Sequence, residues 1–424
     1  MKYIYSLLTI FCLCIIYAFT NIEPSKSSIL LDVSDSTLIA KIINVTSQFK
    51  DTIYQYDLYN YDFKATEDSI KTLTDSLKTY PDKQDQEFNK AYKVVQKSIL
   101  TDTATSRILF SNQMNAYHLL LSKSEKETEE IKAKIKKLNN ALITLKKNRE
   151  QFDKILQAPR KEVSETILKM QAPILFKFDY LKSKFKVVIV NNKFNDLKII
   201  PNTTGSPKTI KSQIASISKA DYGILMNAGM YEENGSGVGL LISNRKKLNE
   251  INLKKNLPGN FYTLINSVFY SDTLGKNFIQ TTSSFNEKFK NTTYPDIAFA
   301  TQSGPALIIE SKLNNELNIR SQNSLIRNGV GVVKNANDNI SIFIISETPT
   351  TFYELASLFN FLGCDNAMYL DGTVSQLLYK GPNKKEIDKT SGVETKGLGP
   401  LFAITSKEVK KDSVVKIITK KSKP

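Results

Sequence analysis

Near the C-terminal end, the run Gly363-Cys364-Asp365-Asn366-Ala367-Met368-Tyr369-Leu370-Asp371-Gly372-Thr373-Val374-Ser375 closes a short apolar stretch with a carboxylate and a glycine. An acid so placed sits at the tip of a strand, on a turn whose backbone can approach a ligand closely. Taken alone, the segment reads as a strand followed by an ordinary Asp-Gly hairpin turn. Four turns upstream share its texture: Asn227-Ala228-Gly229-Met230, Gly259-Asn260-Phe261, Ala300-Thr301-Gln302-Ser303-Gly304-Pro305 and Ile326-Arg327-Asn328-Gly329-Val330-Gly331. Glycine beside a hydroxyl, amide or guanidinium lets backbone N–H groups and side chains converge on one anionic oxygen. One shared pocket accounts for the five turns better than five unrelated loops.

The order of these turns resembles the phosphodiester glycosidase domain family, and the reaction which that resemblance implies is cleavage of a glycosidic bond next to a phosphate. Such a reaction passes through an oxocarbenium-like state that a carboxylate stabilises or attacks, usually with a second carboxylate about 5.5 Å or roughly 6.5–9.5 Å away. Asp371 is the first candidate. Glu347, just after the apolar run Ile340–Ile345, is preferred as the second, with Glu232 beside the NAG turn as the alternative. A phosphate leaving group needs charge stabilisation more than a strong acid, which suits the fork of Arg327 and donors near Ser303 and Asn227. Singly, Arg327 also reads as a structural salt bridge and Ser303 as a turn serine. No histidine is required, and the sole one, His118, reads as structural or surface-exposed. Cys364 reads as a packed small apolar residue. No Cys/His cluster suggests zinc and no cofactor is called for; an oxygen-liganded divalent cation near Asp371 stays open without support.

The elements that must position these residues occupy a second part of the chain. With 424 residues there is length for two or three domains. From Asp32 to Pro159 glycine is scarce and Leu, Ile, Lys and Glu recur at helical spacing, which predicts an all-α region over 30–160, broken near Pro81. Ile131, Ile135, Leu138, Leu142, Leu145, Arg149, Phe152 and Leu156 repeat at spacings of four and three. That seam fits a coiled coil joining copies of the chain into a homo-oligomer, or equally a long amphipathic helix folded back within one chain. After Pro159 the pattern alternates. Ile174 to Asn192 and Asp196 to Ile200 read as strands, Ile210 to Ser218 and Tyr353 to Leu362 as helices, and Gly223–Met226, Gly239–Ile242, Phe261–Tyr270, Ile340–Ile345, Met368–Leu370, Leu377–Tyr379 and Leu401–Ile404 as extended. The expected fold class is α+β, a mixed central sheet with flanking helices over 165–406, preceded by the all-α, partly coiled-coil region.

Lys and Arg total 58 against 42 Asp and Glu, a net charge of +16, which fits an anionic partner such as a phosphorylated glycan or an acidic lipid surface. No nucleic-acid motif is present. Residues 407–424 carry seven lysines against two acids and read as a lysine-rich solvated or membrane-proximal tail. Ile4 to Phe19 is almost wholly apolar behind Met1-Lys2-Tyr3, so residues 1–22 read as a signal peptide or an N-terminal membrane anchor and the protein as exported: periplasmic, extracellular or membrane-anchored. Two of the three cysteines, Cys12 and Cys14, fall there, leaving Cys364 with no intradomain disulfide partner.

The order NAGM, GNFY, ATQSGPAL, IRNGVG and FYELASLFNFLGCDNAMYLDGTVSQLLY closely resembles the phosphodiester glycosidase domain family, in its bacterial exported subgroup, from about Phe176 to Ser406. The resemblance implies hydrolysis of a sugar-1-phosphate diester. It implies a catalytic role for Asp371 in the LDG turn and for the RNG arginine, Arg327, and substrate contacts from Asn227, Gly229, Ser303, Gly304, Asn328, Gly372, Thr373 and Ser375. Thr373 stands where many members have a second glycine, a departure that bears on substrate choice. The competing readings are a non-catalytic phosphoglycan-binding protein of the envelope, and a coiled-coil adaptor for which the α+β domain is a ligand-sensing cap.

Overall fold

The computed structural model describes residues 33–99, 104–170, 174–202, 208–220, 222–290, 292–334, 339–371, 374–380 and 397–407. The apolar segment within 1–22, most of the lysine-rich tail, Gly372 and Thr373 lie outside them. Helix α1 spans Val33–Ile99 and helix α2 spans Ala104–Ile167. The sequence placed a break near Pro81 and a change of texture after Pro159, yet α1 continues through the first and α2 through the second. A proline removes one i→i−4 hydrogen bond. In helices of 67 and 64 residues the remaining ladder carries the chain past it.

The chain divides into two compact units, one holding residues Gln55–Ile155 and the other the rest. Within the first, α1 and α2 run antiparallel. Tyr59 stacks on Phe152 at 5.4 Å, Arg149 lies 4.6 Å over the Phe63 ring, and the Tyr56 hydroxyl donates to Asp153 Oδ1 at 3.1 Å. Ile131, Ile135, Leu138, Leu142, Leu145 and Phe152 are half-buried among exposed Lys and Glu, and Leu138 and Leu145 line one groove with Tyr59 and Ala65. The described contacts of this seam are with α1 of the same chain, the fold-back arrangement.

The second unit is sheet-rich, a mixed α+β domain. Its strands are β1 Ile174–Tyr180, β2 Ser183–Asn191, β3 Asn195–Ile200, β4 Gly223–Asn227, β5 Leu241–Ser243, β6 Lys246–Asn249, β7 Ser267–Asp272 and β8 Asn277–Thr281. They continue with β9 Ile297–Ser303, β10 Ala306–Ile309, β11 Lys312–Leu313, β12 Asn328–Lys334, β13 Asn339–Ser346, β14 Asn366–Tyr369, β15 Leu377–Lys380 and β16 Leu401–Ser406. Three sheets form, ordered β1-β2-β13-β12-β14-β10-β11, β15-β4-β16-β3 and β6-β5-β9-β7-β8. The run Phe261 to Tyr270, expected as one strand, divides. Gly259 takes φ 102°, a left-handed value open to glycine, and starts the single helical turn α3, Asn260–Thr263, ahead of β7. Helix α4, Thr282–Lys288, follows β8 behind a Thr281 side-chain cap.

All three sheets turn one face to a common core. Phe343 of β13, Phe402 of β16 and Phe269 of β7 meet there edge-to-face, with centroids 5.1 Å apart for Phe343 and Phe402 and 5.6 Å for Phe269 and Phe402. One ring from each sheet makes this contact the joint between layers. Phe402→Ala is expected to cost about 3–5 kcal/mol, read as a lowered midpoint in chemical denaturation of the full chain.

Helix α5, Phe352–Phe361, covers the outer face of the largest sheet. It starts on a capping box in which Thr351 accepts from the Glu354 N–H and the Glu354 carboxylate accepts from the Thr351 N–H. The glycines of Asn328-Gly329-Val330-Gly331 let it come close. A Cβ on Gly331 would lie 2.5 Å from Cys364 Sγ and 2.8 Å from Phe359 Cδ1. Gly331→Ala is therefore expected to destabilise the domain by about 1–3 kcal/mol, visible as a lower Tm. Buried Ile39, Ile42, Leu156 and Val163 belong to the helix ends in this unit, where Lys41 pairs with Glu162 at 3.1 Å and Tyr54 meets Tyr353 of α5 edge-to-face at 5.9 Å.

Candidate functional site

β14 ends at Tyr369, and the next two residues are hydrogen-bonded to groups from three other turns. Leu370 N–H donates to the Asn328 carbonyl at 3.2 Å, while the Leu370 carbonyl accepts from Ser303 Oγ at 2.8 Å. The Asp371 carbonyl accepts from Asn227 Nδ2 at 3.1 Å and from Ser375 Oγ at 3.1 Å. Asn227 Oδ1 in turn accepts from Asn328 Nδ2 at 2.7 Å and from the Gln376 N–H at 2.9 Å. The Met230 N–H reaches Ser303 Oγ at 3.4 Å. The NAG, SGP, RNG and LDG turns thus meet at one place.

The helpers are buried and the acid is not. Asn227, Ser303, Asn328, Ser375 and Gln376 are each at most 1% exposed, whereas Asp371 is partly exposed. Their hydrogen bonds run to the Leu370–Asp371 backbone or to one another, so this group holds that peptide in place, with Asp371 at its partly exposed edge. Asn328 Oδ1, also buried, makes no hydrogen bond among the described residues and is an acceptor open to a donor.

Gly229 and Gly304 serve close packing. A Cβ on Gly229 would lie 2.5 Å from Thr301 Oγ1, and one on Gly304 2.5 Å from Asn266 Cβ. These glycines seat the turns against β9 and against Asn266 ahead of β7.

Arg327 and Asn328 are adjacent and point to opposite faces, as strand neighbours do. Asn328 joins the cluster on the inner face. Arg327 is fully buried on the outer side, 3.6 Å over the Phe352 ring, with Nε donating to the Thr350 carbonyl at 2.9 Å and Nη2 to the Asn323 carbonyl at 3.2 Å. Burial pushes its pKa down, and the neighbouring Tyr369 partly opposes that. Glu347, one residue past β13, takes Lys177 Nζ and Lys186 Nζ on the same carboxylate oxygen, each at 3.2 Å. Glu232 is exposed, in a turn where its N–H bonds the Ser236 carbonyl at 2.8 Å.

Gln376, Tyr231 and Lys186 escaped the reading of the sequence. Gln376 follows Ser375, and Tyr231 follows the NAGM turn. The Tyr231 hydroxyl donates to the Gly397 carbonyl at 2.9 Å, and its ring lies against Gly399, where a Cβ would be 2.4 Å from Cγ. Burial, and then the charge of Asp371, push this phenol up to about 12. Among the described residues no group of three or more His, Cys, Asp and Glu could hold a metal ion, and no helix is long and apolar enough to cross a membrane.

Residues 221–399, which contain every turn of this cluster, match the family model described as phosphodiester glycosidase. This segment is similar to the phosphodiester glycosidase family. The chain is also similar to the uncharacterized protein YigE of Escherichia coli K12, 33% identical over 177 residues, 41% of this chain and 65% of that one. The match thus spans less than two thirds of that relative's length. Among solved structures, a zebrafish N-acetylglucosamine-1-phosphodiester alpha-N-acetylglucosaminidase catalytic domain, auto-inhibited by its pro-peptide, is similar at TM-score 0.37 and 10% identity, covering 55% of this chain and 82% of that one. A hypothetical protein from Synechocystis is similar at TM-score 0.36 and 13% identity, covering 55% and 62%.

Proposed function

We propose that the domain hydrolyses the glycosidic bond of a sugar-1-phosphate diester, in the cell envelope or outside the cell. The observation that carries this reading is a partly exposed acidic residue, Asp371, whose backbone is pinned by buried Asn227 and Ser375, inside a segment similar to this family. The C1–O bond breaks, its electron pair leaves with the phosphoryl oxygen, and water supplies the oxygen that ends on C1. Asp371 stabilises or attacks the oxocarbenium-like centre. Asn227, Ser303, Asn328 and Ser375 are positioning residues, because their bonds run to the Leu370–Asp371 backbone or to one another. Arg327 acts through the architecture of β12, since its hydrogen bonds run to the Thr350 and Asn323 carbonyls and to Tyr369 and its plane lies on Phe352. Export is proposed from the composition of Ile4–Phe19.

Incubating the full chain with a panel of sugar-1-phosphate diesters tests the reading. Release of free reducing sugar is expected. Saturable binding without release across the panel would instead make the domain a phosphoglycan binder.

A further inference from the structure

The inner face of the large sheet changes character at one level. On β2 the inward residues Val190 and Val188 belong to the apolar core, and the next is Lys186. On β13 the core residues Phe343 and Ile345 are followed by Glu347, and on β12 Val332 and Val330 give way to Asn328. Strand register lines these positions up: Lys177 pairs with Lys186, Lys186 with Ile345, and Ile345 with Asn328. Directly paired residues share a face. Lys177, Lys186, Glu347 and Asn328 therefore edge the core at the end where Asn328 joins Asn227 and, through it, Asp371, with the core residue Ile345 between Lys186 and Asn328.

Lys186 is 1% exposed, and among the described residues it and Arg327 are the buried cations. Arg327 is committed to the far side of the sheet. A lysine held this deep carries a desolvation cost that an apolar side chain there would not. Its ammonium and that of Lys177 converge on one oxygen of Glu347. An arriving phosphoryl anion would meet both cations at once. Two strand spacings, about 10 Å, separate Lys186 from Asn328. The side chain of the core residue Ile345 lies between them on the same face.

We propose that Lys186, with Lys177 beside it and Glu347 as the carboxylate that holds both, forms the phosphate-binding part of the site. The proposal rests on the phosphodiester reading above and assigns the phosphoryl group to the inner-face lysines instead of Arg327. In this scheme the sugar C1 lies toward Asp371, and the buried Asn328 Oδ1 accepts a hydroxyl from the bound molecule.

The test titrates inorganic phosphate into the full chain and follows binding by calorimetry and ³¹P NMR, with no turnover involved. Wild-type protein is expected to bind phosphate with an affinity that falls as salt rises. Lys186→Met should weaken binding at least about tenfold, and Lys177→Met by less. Lys186→Arg and the double variant Lys186→Met/Glu347→Gln guard against misfolding: the first should retain binding, and the second should stay folded by circular dichroism and still lose it. Wild-type affinity in folded Lys186→Met or in the double variant overturns the proposal, as does the absence of phosphate binding by the wild type. Lys186-dependent phosphate binding without sugar release from any diester would sink the glycosidase reading and leave this site standing. Sugar release with Lys186-independent phosphate affinity would do the reverse.

Discussion

Asp371→Asn should lower kcat on a sugar-1-phosphate diester by at least about a hundredfold while leaving the fold intact. The reason lies in which atoms are used. Asn227 and Ser375 donate to the Asp371 backbone carbonyl, so both bonds survive the exchange of a carboxylate for an amide. The expected change in stability is within about 0.5 kcal/mol. Tyr231 offers a second readout. Its phenol stands at about 12 because of burial first and the Asp371 charge second. Removing that charge should lower it, and ultraviolet absorbance titration would follow the change. The sign also fixes a linkage effect. A phenol raised in the folded state contributes stability that is full below its ordinary value of about 10, and that stability is lost as pH rises through about 12.

Asn227→Ala is expected to cost both stability and turnover. Truncation removes the acceptor for Asn328 Nδ2 and for the Gln376 N–H, and the donor to the Asp371 carbonyl, in a place only 1% exposed. Each buried group left without a partner costs about 1–3 kcal/mol, and water entering the space returns part of that. A net loss of about 2–4 kcal/mol follows. With Asp371 no longer pinned, kcat should fall at least about tenfold in the fraction that remains folded. Wild-type stability in this variant would mean that the amide network does not hold the turn.

How much of this was legible in the sequence depends on how far apart the contacting residues lie along the chain. Asp371, Asn227, Ser303 and Asn328 announced themselves because a short strand ending in glycine and a polar residue is a local pattern. These four gather around one peptide group, the Leu370–Asp371 backbone. The glycines of RNGVG were misleading for a physical reason: a sequence shows that a Cβ is missing, not what occupies its space, and here it is Phe359 and Cys364. Arg327 was ambiguous because alternation sends neighbours to opposite faces, and only the pairing of β12 within the sheet shows which face holds the site. Lys186 was invisible. Its meaning depends on pairing with Ile345, far along the chain, and among many lysines nothing local marks a buried one. The seam from Ile131 to Phe152 was plain as an apolar repeat, but a repeat does not name its partner. The stacking of Tyr59 on Phe152 does.

The central claim is that the bond broken is C1–O. Hydrolysis of a sugar-1-phosphate diester by the full chain in heavy-oxygen water separates this from attack at phosphorus. The label should appear on C1 of the released sugar, with none in the phosphate product, as read by mass spectrometry and ³¹P NMR. Label in the phosphate and none on the sugar would make the protein a phosphodiesterase and contradict the account.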